Sequence, residues 1–470
     1  MQIHISRGED QSGPFTLEEV REQLVKGKLQ PDDLACQEGG SEWIPLSELM
    51  NKLESSESTV PASSTKRKFL IGIGAVLAVL ALLAIAGLIL DLLKEARRNE
   101  RVLWEFKKGS YGIGAPSTIG ADGTVYDVGG GKLYALDGKT GDIVWQFNRE
   151  TAQRTAPAID SKGILFIAGL SGNFFALDSK NGKIKWEIKL NGDASSPAIG
   201  PNGTVFIGLD GNRIIALDGS DGSIKWEFRR GKKAIEFEGD IYGYRPSSSA
   251  LGTDGSVYVG FGDKKIYALN GKTGTKIWEF TTKNKVAATP VVGKDGSVVV
   301  GSMDNNVYAL NGKTGEKVWA FDTGDDVFWA AAIGDDGTVY VGSRNGIFFA
   351  LDGETGAKKW EYKMGRDHWE GGSTSPRWSP PVIGTDGTVY VGTGHGGFEV
   401  FALDGKTGAK KWEFHARGWR TSFPAIGKQE TLYVSTGSWI YTLRTDSENS
   451  GSSPWPMFGK NAQHTGRAPK

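Results

Sequence analysis

The chain has 470 residues, too many for one ordinary hydrophobic core, so a large repeat domain with smaller pieces is expected. Lys plus Arg and Asp plus Glu each total 55, and this neutrality argues against a nucleic-acid-binding protein, whose phosphate contacts usually require a basic surface. The 67 glycines stand among many Val, Ile, Tyr and Trp residues, which favours short strands, tight turns and a mainly β protein. Cys36 is the single cysteine, so no intrachain disulfide can form.

Residues 1–54 differ in composition from the rest and predict a small α/β domain. Thr16 and Glu19 have the spacing of a capping box, Gly27 ends the helix that follows, and Trp43 is expected to anchor the core. The stretch resembles GYF-type domains of bacterial membrane proteins, through GPF at 13–15 and WIPL at 43–46. Members of the wider family bind proline-rich peptides through a Gly-Tyr-Phe surface. Because this chain lacks that triplet, the resemblance implies an adaptor or spacer.

Residues 55–68 are polar and predict a flexible linker. An apolar stretch follows, and we predict a transmembrane helix over residues 69–93. Phe69 to Leu90 carry no charge, and their 22 residues, at about 1.5 Å each, cover the roughly 30 Å hydrocarbon core of a bilayer. Basic residues flank the stretch on both sides, so the positive-inside rule does not choose its orientation.

An eleven-residue phrase, ALDGKTGDIVW in its first copy, recurs seven times between Ala135 and Trp412. In each copy an Asp or Asn precedes a Gly by four residues and a Trp by eight. The acidic or amide residues are Asp137, Asp178, Asp218, Asn270, Asn311, Asp352 and Asp404. From Trp104 onward the tryptophans are 41, 41, 40, 52, 41, 41 and 52 residues apart. A period near 41 residues is typical of a repeat architecture with four short strands per unit.

The repeats predict an eight-bladed β-propeller over residues 102–445. Eight second strands can be counted, starting near Thr124, Ile164, Thr204, Ser256, Ser297, Thr338, Thr388 and Thr431. Only seven outer strands follow a third strand, so the chain start, VLWEF at Val102 to Phe106, is expected to supply the eighth. Closing the ring with both ends of the chain in one blade removes open sheet edges.

The phrase resembles the tryptophan-docking motif of pyrroloquinoline-quinone (PQQ)-type propellers. The resemblance covers about three quarters of the chain and implies that each repeated tryptophan packs between neighbouring blades. These residues are Trp104, Trp145, Trp186, Trp226, Trp278, Trp319, Trp360 and Trp412.

Two functions are open. The fold resembles quinoprotein dehydrogenases, which hold PQQ and calcium in the axial channel, and it also resembles the non-catalytic propellers of the outer-membrane protein assembly machinery. Many of the dehydrogenases have adjacent bonded cysteines beside the cofactor, and this propeller has none. We therefore favour a scaffold that binds a protein partner or an envelope ligand, with no cofactor or metal expected. The resemblances imply a single-pass inner-membrane protein with a cytoplasmic N-terminal domain and a periplasmic or extracellular propeller.

Two spacings of 52 residues reveal insertions, Lys232 to Pro246 and Gly365 to Trp378. Both connect an outer strand to the next inner strand, so both are expected on one face of the propeller. Aromatic and Arg residues dominate binding hot spots, so the insertions are candidates for a binding surface. The alternative is that these loops only cover the hydrophobic ends of the blades. The predicted binding face comprises Tyr242, Tyr244, Arg245, Trp329, Arg366, His368, Trp369, Arg377, Trp378, His415, Arg417, Trp419 and Arg420.

Residues 446–470 form a tail in which Trp455 and Phe458 are expected to pack on the propeller.

Overall fold

The structure, a computed structural model, describes residues 2–8, 10–57, 100–109, 115–149, 155–210, 213–230, 247–363, 377–394, 399–417, 423–427 and 431–445. The chain divides into two compact units, Met1–Leu92 and Leu93–Lys470. The predicted transmembrane helix, residues 58–68 of the predicted linker, most of both insertions and the tail lie outside the described residues. Residues 55–57, predicted as the start of the linker, instead form the last turn of a helix that ends at Glu57. Among the described residues, no helix is long and apolar enough to cross a bilayer.

The N-terminal unit contains a four-stranded sheet of order β2-β1-β3-β4 and two helices. Its elements are β1 (Gln2–Arg7), β2 (Asp10–Thr16), α1 (Leu17–Val25), β3 (Leu34–Gln37), β4 (Ile44–Pro45) and α2 (Leu46–Glu57). The capping box is confirmed, because the Thr16 hydroxyl accepts from the Glu19 amide and the Glu19 carboxylate accepts from the Thr16 amide. Ile3, Val20 and Leu46 are fully buried in the core. Trp43, expected to anchor that core, is only partly buried.

Eight antiparallel sheets form the second unit, which confirms the predicted number of blades. Blades 1 to 4 comprise β6 (Thr118–Ile119), β7 (Val125–Gly129), β8 (Lys132–Leu136) and β9 (Ile143–Phe147); β10 (Ala158–Ile159), β11 (Ile164–Ala168), β12 (Asn173–Asp178) and β13 (Ile184–Lys189); β14 (Ala198–Ile199), β15 (Thr204–Leu209), β16 (Arg213–Asp218) and β17 (Ile224–Arg229); β18 (Ala250–Leu251), β19 (Ser256–Phe261), β20 (Lys265–Asn270) and β21 (Lys276–Thr281).

Blades 5 to 7 comprise β22 (Val291–Val292), β23 (Val298–Gly301), β24 (Asn306–Leu310) and β25 (Lys317–Asp322); β26 (Ala332–Ile333), β27 (Val339–Gly342), β28 (Ile347–Leu351) and β29 (Lys358–Lys363); β30 (Arg377–Trp378), β31 (Val382–Ile383), β32 (Thr388–Gly394), β33 (Glu399–Asp404) and β34 (Lys410–His415). Blade 8 contains β35 (Phe423–Ile426), β36 (Thr431–Ser435), β37 (Trp439–Arg444) and, from the chain start, β5 (Val102–Lys107).

Burial follows the position of a strand within its blade. Second and third strands are buried on both faces, as in ILFIA of β11, because a neighbouring blade covers each face. Outer strands alternate between exposed and covered residues, as in KVWAFD of β25. The inner strands are short and consist largely of Ala, Val and Ile. The apolar core therefore lies between blades, and each blade depends on its neighbours.

Blade 8 is completed by the chain start, as predicted. β5 pairs antiparallel with β37, with Trp104 opposite Thr442 and Val102 opposite Leu443. In blade 1 the outer strand begins in the same way, with Ile143 opposite Leu136. β5 therefore enters the propeller at the end of the blade where the other blades have their phrase turns.

Candidate functional site

Most of the repeated tryptophans dock one blade on the next. Trp104 is 9% exposed, and its indole Nε1 donates to the carbonyl of Gly138, in the phrase turn of blade 1, at 3.0 Å. Six further indoles donate in the same way at 2.8–3.0 Å, those of Trp145, Trp186, Trp226, Trp278, Trp319 and Trp360. These seven tryptophans therefore pack each blade against the next.

The phrase glycine lies directly on the tryptophan ring of the preceding blade. At Gly315 the backbone has φ +76°, and a Cβ there would stand 2.6 Å from Cδ2 of Trp278. The other six phrase glycines share both features, with φ from +70° to +79° and a ring atom within 2.7 Å of the built Cβ. Only glycine meets both conditions without strain.

The phrase Asp or Asn shapes the turn itself. In blade 1 the Asp137 carboxylate accepts from the amides of Lys139 and Thr140, at 2.8 and 3.0 Å. In blade 4 the Asn270 side-chain oxygen accepts from the two corresponding amides at 3.0 and 3.1 Å. An amide therefore does the same work as a carboxylate at this position, and the phrase is a structural element rather than a reactive site.

The phrase carboxyls make a testable contribution to acid stability. Hydrogen bonds lower the pKa of Asp137 and Asp178, chiefly from backbone amides, and of Asp218, Asp352 and Asp404, chiefly from hydroxyl groups. Their stabilisation is therefore present above the ordinary Asp pKa of 3.8 and is lost as pH falls through the lower folded-state values.

Replacing these five Asp residues by Asn should consequently lower the melting temperature at pH 7, where the carboxylates stabilise the fold, and flatten its fall below about pH 4. Thermal unfolding of both proteins from pH 2 to pH 7 measures this. Parallel pH profiles would show that the turn carboxyls do not contribute. Asn270 and Asn311, already amides, provide the internal precedent for the substitution.

Blade 7 docks on the composite blade in a different way. The Arg101 guanidinium lies 4.6 Å from the centre of the Trp412 ring, and it donates to the Arg444 carbonyl at 3.3 Å. In the other blades a glycine of the phrase turn makes both of these contacts. For example, the Gly408 amide donates to the backbone carbonyl of Asp404, and Gly408 lies against the ring of Trp360. One side chain thus replaces the missing turn at the break between β37 and β5.

Arg101→Ala should lower the free energy of unfolding of the propeller by about 0.5–1 kcal/mol, the usual size of a cation–π contact at a partly exposed site. Urea denaturation monitored by tryptophan emission measures the change. Arg149→Ala is the matched control, because the Arg149–Glu187 pair is exposed on both sides and should contribute almost nothing. Equal effects of the two substitutions would contradict a specific role for Arg101.

A buried ion pair joins blade 8 to blade 1. Lys108 Nζ lies 2.7 Å from Asp127 Oδ1, and both side chains are 0% exposed. Nζ also donates to Ser435 Oγ at 2.8 Å, and Ser117 Oγ donates to the second Asp127 oxygen. The corresponding position in the other second strands is apolar, namely Ile167, Ile207, Val259, Val300, Val341, Val391 and Val434. Sequence reasoning missed this cluster.

The propeller has two distinguishable faces. We call the end of the blades that carries the phrase turns the turn face, and the opposite end, where outer strands lead to the next inner strand, the connection face. Both insertions leave their blades on the connection face, since they follow β17 and β29. Of the predicted binding residues, Tyr242, Tyr244, Arg245, Arg366, His368, Trp369, Trp419 and Arg420 lie outside the described residues, as does the side chain of Arg377.

Trp378 does not offer the exposed aromatic surface that its place in the second insertion suggested. Its side chain is 1% exposed and packs against Phe348 and Phe401, at ring distances of 5.4 and 6.0 Å. Gly342 makes room for it, because a Cβ there would lie 2.4 Å from the Trp378 Cβ. The end of the insertion is therefore anchored in the core between blades 6 and 7.

Three predicted residues are described and lie on or near the connection face. Trp329 is partly buried, and its ring lies 5.4 Å from that of Phe423 in blade 8. His415 stands between two carboxylates, with Nδ1 3.4 Å from Glu399 and Nε2 3.5 Å from Glu413. The structure pairs the exposed Arg417 with Glu105 at 4.0 Å. They span blades 6 to 8, and no contact joins all three.

The described inner strands provide little metal or cofactor chemistry. The residues of β6, β10, β14, β18, β22, β26, β31 and β35 are apolar apart from Thr118, and none carries a charge. In blade 7 the additional strand β30, which also pairs with β32, contains Arg377. Throughout the described part of the chain, no three His, Cys, Asp or Glu side chains converge as metal ligands. These residues do not fit a calcium ion in the axial channel, whose ligands would be carboxylate and carbonyl oxygens.

The fold and its tryptophan docking define a propeller of the quinoprotein-like class. A family model described as outer membrane protein assembly factor BamB matches residues 129–284 and 262–414, more than half of the chain. The chain therefore belongs to the BamB family. A second model, described as GYF domain 2, matches residues 4–50.

Solved structures share this fold at low sequence identity. BamB from Moraxella catarrhalis is 19% identical over 73% of this chain and 99% of its own, with a TM-score of 0.57. The computationally designed Ika8 protein is 15% identical over 73% and 99%, with a TM-score of 0.58. Quinohemoprotein alcohol dehydrogenase from Comamonas testosteroni is 14% identical over 74% and 76%, with a TM-score of 0.55. No curated protein matches the chain significantly. These likenesses show the fold alone.

Proposed function

We propose that the chain is a membrane-anchored, non-catalytic scaffold whose connection face binds a protein partner or an envelope ligand, as part of outer-membrane protein assembly. The observation that carries this proposal is a structural difference between the turn face and the connection face. On the turn face the repeated residues are occupied by docking one blade on the next. On the connection face the period breaks, and both insertions leave the blades there.

In this proposal the predicted transmembrane helix, which ends at residue 93, anchors the chain, and residues 94–101 connect it to Val102. The propeller is periplasmic or extracellular, where envelope partners are found. The N-terminal domain is cytoplasmic in this arrangement.

A cofactor-dependent dehydrogenase using PQQ and calcium is the alternative. The uncharged inner strands described above disfavour it, because PQQ carries several carboxylates that need cationic or calcium partners in the site. We propose that no cofactor is bound in the axial channel.

Site-specific photo-cross-linking in intact cells tests the scaffold. A benzophenone amino acid at Arg417 on the connection face should give discrete adducts, and the same residue at Lys313 on the turn face should give few. Both positions are exposed, so accessibility is matched. Equal adducts at the two positions would contradict the assigned face, since neither would then be selective.

The enzyme alternative has its own measurement. The purified full chain, supplied with PQQ and calcium, should show no dye-linked turnover of alcohols or sugars and no change in PQQ absorbance. Turnover above that of the protein without PQQ would replace the scaffold with the dehydrogenase.

A further inference from the structure

The same contacts recur at all seven interfaces that involve a phrase turn. Each joins an outer-strand tryptophan to a turn carbonyl and a turn glycine of the next blade, with nearly constant geometry. The donor–acceptor distances differ by only 0.2 Å, from 2.8 Å at Trp278 to 3.0 Å at Trp226. These shared contacts therefore do not specify which outer strand belongs to which blade.

In seven blades the outer strand is determined by chain connectivity, because a short turn joins the third strand to the outer strand of the same blade. Blade 8 has no such turn: Trp439 of β37 pairs with Lys107 of β5 across more than 300 residues of chain. The sequence of β5, VLWEFK, differs little from IKWEFR of β17 or KIWEFT of β21. Backbone pairing and the tryptophan alone would accept several strands, or another register, at the edge of β37.

Two polar contacts mark the composite blade, one at each end of β5. Arg101, just before the strand, covers Trp412 and bonds to the Arg444 carbonyl. Lys108, just after it, pairs with Asp127 in the apolar interface with blade 1. At the position of Lys108, four residues after the tryptophan, the outer strands of blades 2, 4, 5 and 7 carry no cation; their residues are Leu190, Thr282, Thr323 and Ala416. The outer strands of blades 1 and 3 carry Arg149 and Arg230 there, and Arg230 is already paired with Asp263 at 2.6 Å.

We propose that the Lys108–Asp127 pair, assisted by Arg101, fixes the register of β5 as the closing strand of the propeller and excludes the outer strands that lack a cation at this place. An outer strand without a cation at this place would leave the Asp127 carboxylate buried and unpaired. A burial of this kind is strongly unfavourable, whereas an apolar residue at position 127 would accept any of the strands. The cluster includes Ser117 and Ser435, so Asp127 also requires blades 8 and 1 to meet correctly.

The test separates registration from plain stabilisation. In the full chain carrying Cys36→Ser, the Lys107→Cys/Trp439→Cys pair reports the native register of β5 and β37 by disulfide trapping. Lys108→Leu/Asp127→Val makes this interface apolar, like the others. After refolding from denaturant, the trapped fraction should fall at least twofold, and dimers and larger species should appear by light scattering.

The matched control removes a partly buried ion pair within one blade, Arg213–Glu227, whose atoms are 3.1 Å apart. Arg213→Leu/Glu227→Leu should leave trapping and mass unchanged, because the turn before β17 already fixes its register. If the Lys108/Asp127 double variant refolds as a monomer with undiminished trapping, the proposal is overturned. Failure of that variant to fold at all would also overturn it, since the pair would then act through stability and not through strand choice.

Discussion

Lys108→Met is expected to lower the free energy of unfolding of the propeller by about 3–5 kcal/mol, because it leaves the Asp127 carboxylate buried without its cation. Both side chains are 0% exposed, so water cannot replace the lost partner. Urea denaturation followed by tryptophan emission measures the loss.

Two control proteins make the Lys108 result specific. Lys265→Met removes a lysine whose pair with Glu279 is partly exposed, and it should cost no more than about 1 kcal/mol. Adding Asp127→Val to Lys108→Met should recover most of the loss, because replacing a buried ion pair by apolar groups is often close to neutral. A loss below about 1 kcal/mol for Lys108→Met would show that the interface relaxes and admits water to Asp127.

Gly315→Ala is expected to destabilise the propeller by about 2–5 kcal/mol. Its positive φ of +76° costs an L-residue roughly 1–2 kcal/mol. The new methyl would meet the Trp278 ring at 2.6 Å, and overpacking of this kind costs roughly 1–3 kcal/mol more. Because the ring is held by its bond to Gly312, it has little freedom to move aside.

Gly296→Ala is the matched control for Gly315→Ala. Gly296 lies in the same blade with φ +81°, and a Cβ there would have no atom within 4 Å. It should therefore show only the backbone cost, and the difference between the two variants isolates the contact with the ring. Equal losses would mean that the indole shifts without cost.

The fold could be predicted because one packing task recurs at a fixed period. The second strand of blade 1 begins at Val125, one residue from its predicted start, and that of blade 3 begins at Thr204, as predicted. The chain start in blade 8 followed from counting outer strands, since a three-stranded final blade would leave an edge open. Such inferences depend on repetition and not on the details of any one side chain.

The features that are unique to one blade were harder to predict. The length of an insertion shows where the chain leaves the blade but not where it returns to the core, so Trp378 was placed with the exposed loop. Its space over Gly342 arises from two distant strands. The signal for the ion pair was present, since Asp127 stands where every other second strand has Ile or Val, but its partner Lys108 is a neighbour only after ring closure.

The docking arrangement also makes the protein its own optical probe. Eight of the 15 tryptophans stand at outer-strand positions, one per blade, and those of blades 4, 5 and 6 are at most 8% exposed. An indole that leaves its neighbour's turn exchanges a carbonyl partner and a glycine surface for water. The emission maximum therefore responds to the separation of blades. A red shift that precedes the loss of β-structure on unfolding would reveal the opening of a joint in an otherwise intact ring.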